Sequence, residues 1–465
     1  MSQKRLGVMD TIFLAAEGRE SMMHVGGLLL LTPPPDAPKT WLRALTEELR
    51  AAKIQRPWNF RLRAPEFLKN PLQWWVEDDA FDVDYHVRRS ALPSPGDERE
   101  LGVLVSRLHS VQVDFHHPPW EVHFIEGLEG GRFALYFKIH HALFDGHTSM
   151  RMLADSLSTD PDERDTPIFF TRPPASRRQR SSSGSSRLEA LLELGRGQAG
   201  ATRDVGRAIA KVVRAARGHD PSLVAPLTAP RSILNRRISR NRRFATQQFS
   251  TERLRAVGKR AGGTVNDVIL ALCGGAIRRL LLDLDALPDE PLIAMLPVDV
   301  RPHDDPGGGN ALGAILASLA THVSDPAGRL EAIVASTTHA KQQLVGMSRS
   351  AIMQYTALLM APLAMQIMTG AAGRMRPTFN VVISNLPGPT EPLYFRGARL
   401  EGLYPLSIPF HGYALNITIS GYTGTLNFGF TGCRDTIPHL QRLAVYSAAA
   451  LEELEHAVGK TAQDG

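Results

Sequence analysis

Residues Arg132–His140 read RFALYFKIH, a stretch in which almost every side chain is apolar. A strand without a polar face has to be buried on both sides, so it belongs inside a sheet with further layers packed above and below. A second strand, Trp120–Gly127, precedes it across the turn Leu128-Glu129-Gly130-Gly131. Leu42, Leu45 and Leu49 fall at helical spacing and predict a helix over Trp41–Ile54, and another is expected over Glu98–Leu108. The first 170 residues are therefore expected to be mixed α and β.

Residues 171–186, TRPPASRRQRSSSGSS, have the composition of a linker. A basic amphipathic pattern follows over Arg187–Arg217, and Pro221 to Pro230 resets the chain. From Arg231 a second α/β half is expected. Its strands are placed at Arg243–Phe249, Leu292–Val298, Thr378–Ser384, Tyr413–Gly421 and Thr425–Gly432, and its helices at Asn266–Leu281, Asp325–Met347 and Ile437–Val458. The expected division is 1–170, 171–230 and 231–465, with two similar α/β layers facing one another across a cleft.

The charge is segregated. Residues 172–243 carry 17 Lys and Arg against four Asp and Glu, whereas the rest of the 465 residues carry 36 against 43. A basic strap on an acidic body suits a phosphate-rich ligand, an anionic membrane surface or a solvated connector. No DNA-binding module or aromatic-basic stacking motif accompanies it, so nucleic acid is not an expected partner. Two cysteines, Cys273 and Cys433, exclude a disulfide scaffold and a CxxC-type zinc site and fit a reducing compartment. The first 20 residues hold no continuous apolar core of a secretory signal. Ser350–Gly373 contains no charged residue, but Gln354, Pro362, Gln366 and a closing Gly-Ala-Ala-Gly run oppose a membrane span. Two shorter helices broken at Pro362, buried or lining an apolar cavity, are expected instead.

At the end of the apolar strand stands His140-His141-Ala142-Leu143-Phe144-Asp145-Gly146. An imidazole leaving such a strand meets a dry environment that favours its neutral, proton-accepting form, as a general base acting on a hydroxyl requires. Gly146 permits the turn that follows. His140, His141, Asp145 and His147 also offer four metal donors, although adjacent strand residues point to opposite faces and rarely reach one ion. Two satisfied core histidines are the third reading. No G-x-S-x-G elbow is present, and Cys273 lies in an apolar helical pattern, so nothing points to an acyl-enzyme.

HHALFDG resembles the HHxxxDG signature of the bacterial wax ester synthase/acyl-CoA:diacylglycerol acyltransferase family, within the CoA-dependent acyltransferases related to chloramphenicol acetyltransferase. Met9-Asp10 through Phe13-Leu14 and Met23-His24-Val25-Gly26 are similar to that family's N-terminal strand region. Pro119-Trp120 resembles its Pro-Leu-Trp motif, with Pro118-Pro119 in place of Pro-Leu. Asn266-Asp267-Val268-Ile269-Leu270-Ala271 resembles its Asn-Asp motif, and Ser384-Asn385-Leu386-Pro387-Gly388-Pro389 its SNxPGP segment. The likeness runs from about residue 6 to about 455 in the same order.

The resemblance implies an α/β fold of two chloramphenicol acetyltransferase-like halves with an active-site tunnel between them. It implies O-acyl transfer from a long-chain acyl-CoA to a fatty alcohol or a diacylglycerol, with His141 as the base and no acyl-enzyme. No cofactor or metal is implied, acyl-CoA being a substrate. His140, Asp145 and Gly146 complete the motif, and Asp145 is expected to pair with Arg301 in the other half. Asn266 either donates to the tetrahedral intermediate or caps its helix, and Asp267 favours the same helix start. Asn385 is expected to shape a Pro/Gly turn. Leu358, Leu359, Met360, Leu363 and Met365 are the expected tunnel lining. Arg236, Arg237, Arg240 and Arg242, with Arg231 and Arg243 beside them, are expected to meet the CoA phosphates or an anionic membrane. A cytoplasmic protein peripheral to the inner membrane or to lipid inclusions follows from the lipid substrates. Another acceptor, aminoacyl condensation or a noncatalytic lipid-body role are the alternatives.

Overall fold

The computed structural model describes residues 3–68, 70, 73–144, 152–172, 228–299 and 312–461. They fall into two compact units, Met1–Ala175 with Ile238–Ser250 and Asn385–Gln441, and Ser176–Arg237 with Thr251–Ser384 and Arg442–Gly465.

The first unit is organised by a six-stranded sheet. Its order is β12 (Tyr394–Phe395), β13 (Ala398–Leu406), β2 (His24–Thr32), β7 (Phe133–His140), β6 (Trp120–Glu126) and β5 (Val87–Ala91). Every pair is antiparallel except β5 with β6. β7 lies between β2 and β6, and all eight of its residues are buried. Its side chains alternate between two cores, as a period of two requires. Phe133, Leu135, Phe137 and Ile139 join the core that takes Leu42, Leu45 and Leu49 of α2 (Trp41–Ala51). Ala134 and Tyr136 join the core that takes Leu101, Leu104 and Val105 of α4 (Glu98–His109). At about 25 cal/mol per Å² of apolar surface, these two faces dominate the stability of the unit.

A three-stranded sheet and three further strands complete it. β1 (Gln3–Arg5), β4 (Trp74–Glu77) and β3 (Phe60–Leu62) pair antiparallel, and the short helix α3 (Val83–His86) leads into β5. β14 (Leu415–Tyr422), β15 (Thr425–Cys433) and β8 (Arg242–Ser250) form an antiparallel set. The second unit holds β9 (Ile293–Asp299) between the antiparallel β10 (Leu312–Ser318) and the parallel β11 (Val381–Leu386). Its helices are α5 (Thr251–Arg260), α6 (Val265–Asp283), α7 (Pro326–Gln342), α8 (Arg349–Met368) and α9 (Arg442–Thr461).

Three features differ from the sequence reading. The compact units interleave instead of following 1–170 and 231–465, because a strand belongs with the ladder that pairs its backbone: β13 pairs with β2, and β8 with β15. Residues 8–16 form the helix α1 (Val8–Ala16), not part of a strand region, with Asp10 bonding back to the Gly7 N–H at 2.9 Å in its first turn. α8 runs unbroken through Pro362, where two shorter helices were expected. An interior proline costs about 3 kcal/mol, so tertiary contacts of the inward side chains Ala351, Tyr355, Leu359 and Gln366 sustain this helix. The basic pattern of 187–217 lies outside the described residues.

Candidate active site

β7 delivers two histidines to its C-terminal end and the backbone sends them apart. The His140 side chain is fully enclosed, and its Nδ1 accepts a hydrogen bond from the Ala142 N–H at 3.1 Å. That leaves the ring proton on Nε2, which faces Glu17 Oε2 at 3.3 Å. The Glu17 carboxylate, also without exposed surface, accepts from the Met23 N–H at 2.5 Å and from Gln112 Nε2 at 2.6 Å. A buried carboxylate is tolerated because all these donors converge on it. Phe115 closes the pocket edge-on to His140, with ring centroids 4.9 Å apart.

His141 is the first residue beyond the strand. Its N–H donates to the Met23 carbonyl at 2.9 Å, so residues 17 to 23 clamp both histidines. Its half-buried ring stacks on Phe13 of α1 at 3.9 Å and 21°. The two rings thus have separate environments, one locked by hydrogen bonds and one laid against an aromatic face. Asp145, Gly146, His147 and Arg301 lie outside the described residues. Among the described residues, no three His, Cys, Asp or Glu side chains are grouped to hold a metal ion.

The polar groups beside this end of the sheet are held neutral or paired. His24, across the ladder from His140, bonds through Nε2 to the His109 carbonyl at 3.0 Å. Burial drives its pKa well below the ordinary value. His109 meets the Tyr136 hydroxyl at 2.9 Å, and burial lowers it to about 3, with Lys138 and Arg242 adding to the shift. Lys138 is buried on β7 with its ammonium 3.4 Å from Glu121 and bonded to the carbonyls of Leu108 and Val111. Burial alone would raise Glu121, but the His123 hydrogen bond and the charges of Lys138, Arg88 and His123 bring it to about 2.

Asn266 is the second residue of α6, and the cap is Thr264, so the alternative in which Asn266 caps the helix is corrected. Asp267 closes a capping box, its Oδ2 accepting from the Thr264 N–H and hydroxyl, both at 2.7 Å. Its Oδ1 accepts from the Thr337 hydroxyl at 2.6 Å. Asn385 is the penultimate residue of β11, with the turn beginning only at Pro387, which corrects its placement inside that turn. There, a Cβ on Gly388 would fall 1.7 Å from the Gly421 carbonyl oxygen, so only glycine permits this approach. The same turn borders an apolar cavity of about 200 Å³ walled by Leu153, Leu157, Leu393, Leu403 and Tyr422. Cys273 is fully buried and its thiol is pushed up by burial, as suits packing and not nucleophilic chemistry.

The expected tunnel lining does not share one face. Leu359 is buried, Met360 and Leu363 are half-buried, and Leu358 and Met365 are exposed on the outer side of α8. Each step along the helix turns about 100°, so residues 358, 359, 360 and 363 spread around it while 358 and 365, seven apart, share the outer side, and absence of charge could not distinguish inside from outside. The arginine set also divides. Arg236 and Arg237 belong to the second unit and Arg240 and Arg242 to the first. Arg236, Arg237 and Arg240 are exposed. Arg242 is 2% exposed, donating to the carbonyls of Glu20 at 2.7 Å and Ser239 at 2.5 Å. It is a structural tie and is corrected as a phosphate ligand. Glu17 was not legible in the sequence: it follows an apolar helix without motif or periodicity, and only the fold brings it to His140.

The sequence matches the wax ester synthase/diacylglycerol acyltransferase catalytic domain over residues 6–269 and the WS/DGAT C-terminal domain over residues 308–455. It is 50% identical to a putative diacylglycerol O-acyltransferase of Mycobacterium tuberculosis, over 99% of each chain. The solved wax ester synthase/diacylglycerol acyltransferase from Marinobacter aquaeolei VT8 is 40% identical with a TM-score of 0.80, covering 98% of this chain and 100% of that one. The first condensation domain of the calcium-dependent antibiotic synthetase shares the fold at 17% identity, with a TM-score of 0.58 over 98% of this chain and 96% of its own.

Proposed function

Since the chain belongs to the wax ester synthase/diacylglycerol acyltransferase family and is an acyltransferase, we propose that His141 is the general base that moves a fatty acyl group from acyl-CoA to a lipid hydroxyl. The acceptor is a long-chain alcohol, giving a wax ester, or a diacylglycerol, giving a triacylglycerol. The imidazole takes the hydroxyl proton as the oxygen attacks the thioester carbonyl carbon. Collapse of the tetrahedral intermediate breaks the carbon–sulfur bond, and the departing CoA thiolate recovers the proton from the imidazolium. Transfer is direct, and no cofactor takes part. The observation that carries this reading is the division of labour at the end of β7. His140 is fully engaged by Glu17 and the Ala142 N–H, whereas His141 is anchored by its backbone and by Phe13 with its ring half-buried.

Water-insoluble substrates are drawn from a lipid phase, so the protein works at the cytoplasmic surface of the inner membrane or on lipid inclusions. The test is thiol release by purified protein given palmitoyl-CoA with hexadecanol or dioleoylglycerol, with the esters identified. Loss of a general base lowers rates about 10²–10⁴-fold, and His141→Ala is expected to fall in that range with its melting temperature unchanged. A His141→Ala protein at full rate would remove the proposed role.

A further inference from the structure

α8 has the wrong outer surface for a helix in water. Ala351, Tyr355, Leu359 and Gln366 point inward at near-helical spacing, with the Tyr355 hydroxyl bonded to Gln343 at 2.9 Å and the Gln366 amide donating to the Arg376 carbonyl at 3.0 Å. The opposite face should be polar. Instead it presents Met353, Ala357, Leu358, Ala364, Met365 and Met368, all exposed, Met368 at 83%. No charged residue interrupts residues 350–373. α8 is long and apolar enough to cross a bilayer, but its inward face is anchored to the second unit, so a position along the interface suits it better.

Immediately beyond this helix the surface turns basic. Gly373, Arg374 and Met375 form one wall of a hollow of about 420 Å³ whose other walls include Arg231 and Arg236, with Asp285 the only acidic lining residue among the described residues. All three arginines are exposed. The hollow is fixed in place. Arg376 donates to the carbonyls of Ala229 and Thr228, both at 3.0 Å, and buried Asn380 donates to the Pro230 carbonyl at 2.8 Å and to Asn235 at 2.7 Å. An apolar stripe from Met353 to Met368, about 24 Å long, thus ends beside a cluster of guanidinium groups. Apolar surface this extensive marks an interaction site, and the cationic end selects the partner by charge.

We propose that α8 lies in the interface of an anionic lipid surface, its outer stripe among the acyl chains and Arg231, Arg236 and Arg374 on the phosphate headgroups. This rests on the reading that the protein draws its substrates from a lipid phase, and it names the element that makes the contact.

The experiment is sedimentation of the full chain with sucrose-loaded vesicles of phosphatidylcholine, alone or with roughly 30% phosphatidylglycerol. Wild type is expected to partition onto the anionic vesicles at least about tenfold better. Met353→Gln/Ala364→Gln/Met368→Gln is expected to lose about tenfold in binding while transfer between short-chain, water-soluble acyl-CoA and alcohol stays unchanged. Arg231→Ser/Arg236→Ser/Arg374→Ser is expected to lose the preference for phosphatidylglycerol, as wild type does in about 0.5 M salt. As a check that needs no multiple variant, Met353→Cys carrying an environment-sensitive dye is expected to shift blue on anionic vesicles, the native Cys273 and Cys433 being buried. Unchanged binding of the stripe variant, or an unshifted dye, overturns the proposal. So does displacement of the protein from vesicles by free CoA, which would give the arginines to the thioester, or a smaller oligomer in the stripe variant, which would give the stripe to a second copy. Vesicle binding by a wild type that transfers no acyl group would remove the His141 reading and leave this one standing.

Discussion

Glu17 and His140 face one another at 3.3 Å with no exposed surface on either side chain. Because the Ala142 N–H occupies Nδ1, the carboxylate receives the Nε2 proton, and the ring has one tautomer and one orientation. Its neighbour His141 inherits the strand end that this pair fixes. Glu17 is a positioning residue, and Glu17→Gln tests it. The amide cannot accept from the Met23 N–H, Gln112 and His140 together, so one donor is left facing a donor. Loss of one satisfied buried group costs about 1–3 kcal/mol, seen as a lower urea midpoint. A role in placing His141 predicts in addition a lower kcat with KM unchanged, whereas a purely structural role moves the midpoint alone.

Phe13 is predicted to matter through the ring it supports. Aromatic pairs contribute about 0.5–1.5 kcal/mol beyond simple burial, and a loss of that size at the transition state is about 2–13-fold in rate. Phe13→Leu keeps an apolar side chain but removes the face on which His141 lies 3.9 Å away. Its kcat is expected to fall within that range with the melting temperature nearly unchanged. Steady-state kinetics at saturating acyl-CoA provide the check, and an unaltered kcat would show that the stacking does not position the base.

The start of α6 depends on one carboxylate with three bonds. Asp267 is 3% exposed and holds Thr264 by its N–H and hydroxyl and Thr337 by its hydroxyl. Capping interactions are worth about 0.5–2 kcal/mol, so Asp267→Ala is expected to lose at least that amount in denaturant unfolding. Thr337→Val removes only the tie to α7 and is expected to cost less. Equal losses would place the importance of Asp267 in the interhelical bond and not in the cap.

What the sequence shows and hides follows from physical range. β7 was legible because burial on both faces leaves a continuous apolar run, and α2 and α4 because their buried leucines keep helical spacing. β2 was reached only through the resemblance at Met23–Gly26 and β13 not at all, since short apolar runs such as those in HVGGLLLLT and ARLEGLYPL do not by themselves separate strand from helix. His141 was legible as one of a motif. Glu17 was not, because it reaches His140 across 123 residues by tertiary folding alone. The same limit explains α8 and Arg242. An uncharged helix and an arginine read alike whether they face the core or the solvent, and the structure turns one side of the helix outward and buries Arg242.

Acid sensitivity follows from the buried imidazoles. His86 is held down to about 4 and His109 to about 3 by burial, and His24 lies well below its ordinary value for the same reason. In the unfolded chain each takes up a proton near pH 6.5. Between that value and the folded one the unfolded state binds more protons, so stability is fully present above about pH 6.5 and falls as pH drops toward 4 and then 3. Each histidine contributes up to about 1.4 kcal/mol per pH unit in that window. Glu121, brought down to about 2, adds a second decline, with its contribution present above its unfolded value near 4.5 and lost as pH falls toward 2. The urea midpoint is therefore expected to hold from pH 8 to 7, decrease steeply from 6.5 to 4.5, and decrease further below. His86→Gln, which removes one titrating ring, should flatten the upper part of the curve while leaving the lower part alone. A midpoint that stays level between pH 7 and 5 would show that these rings protonate in place.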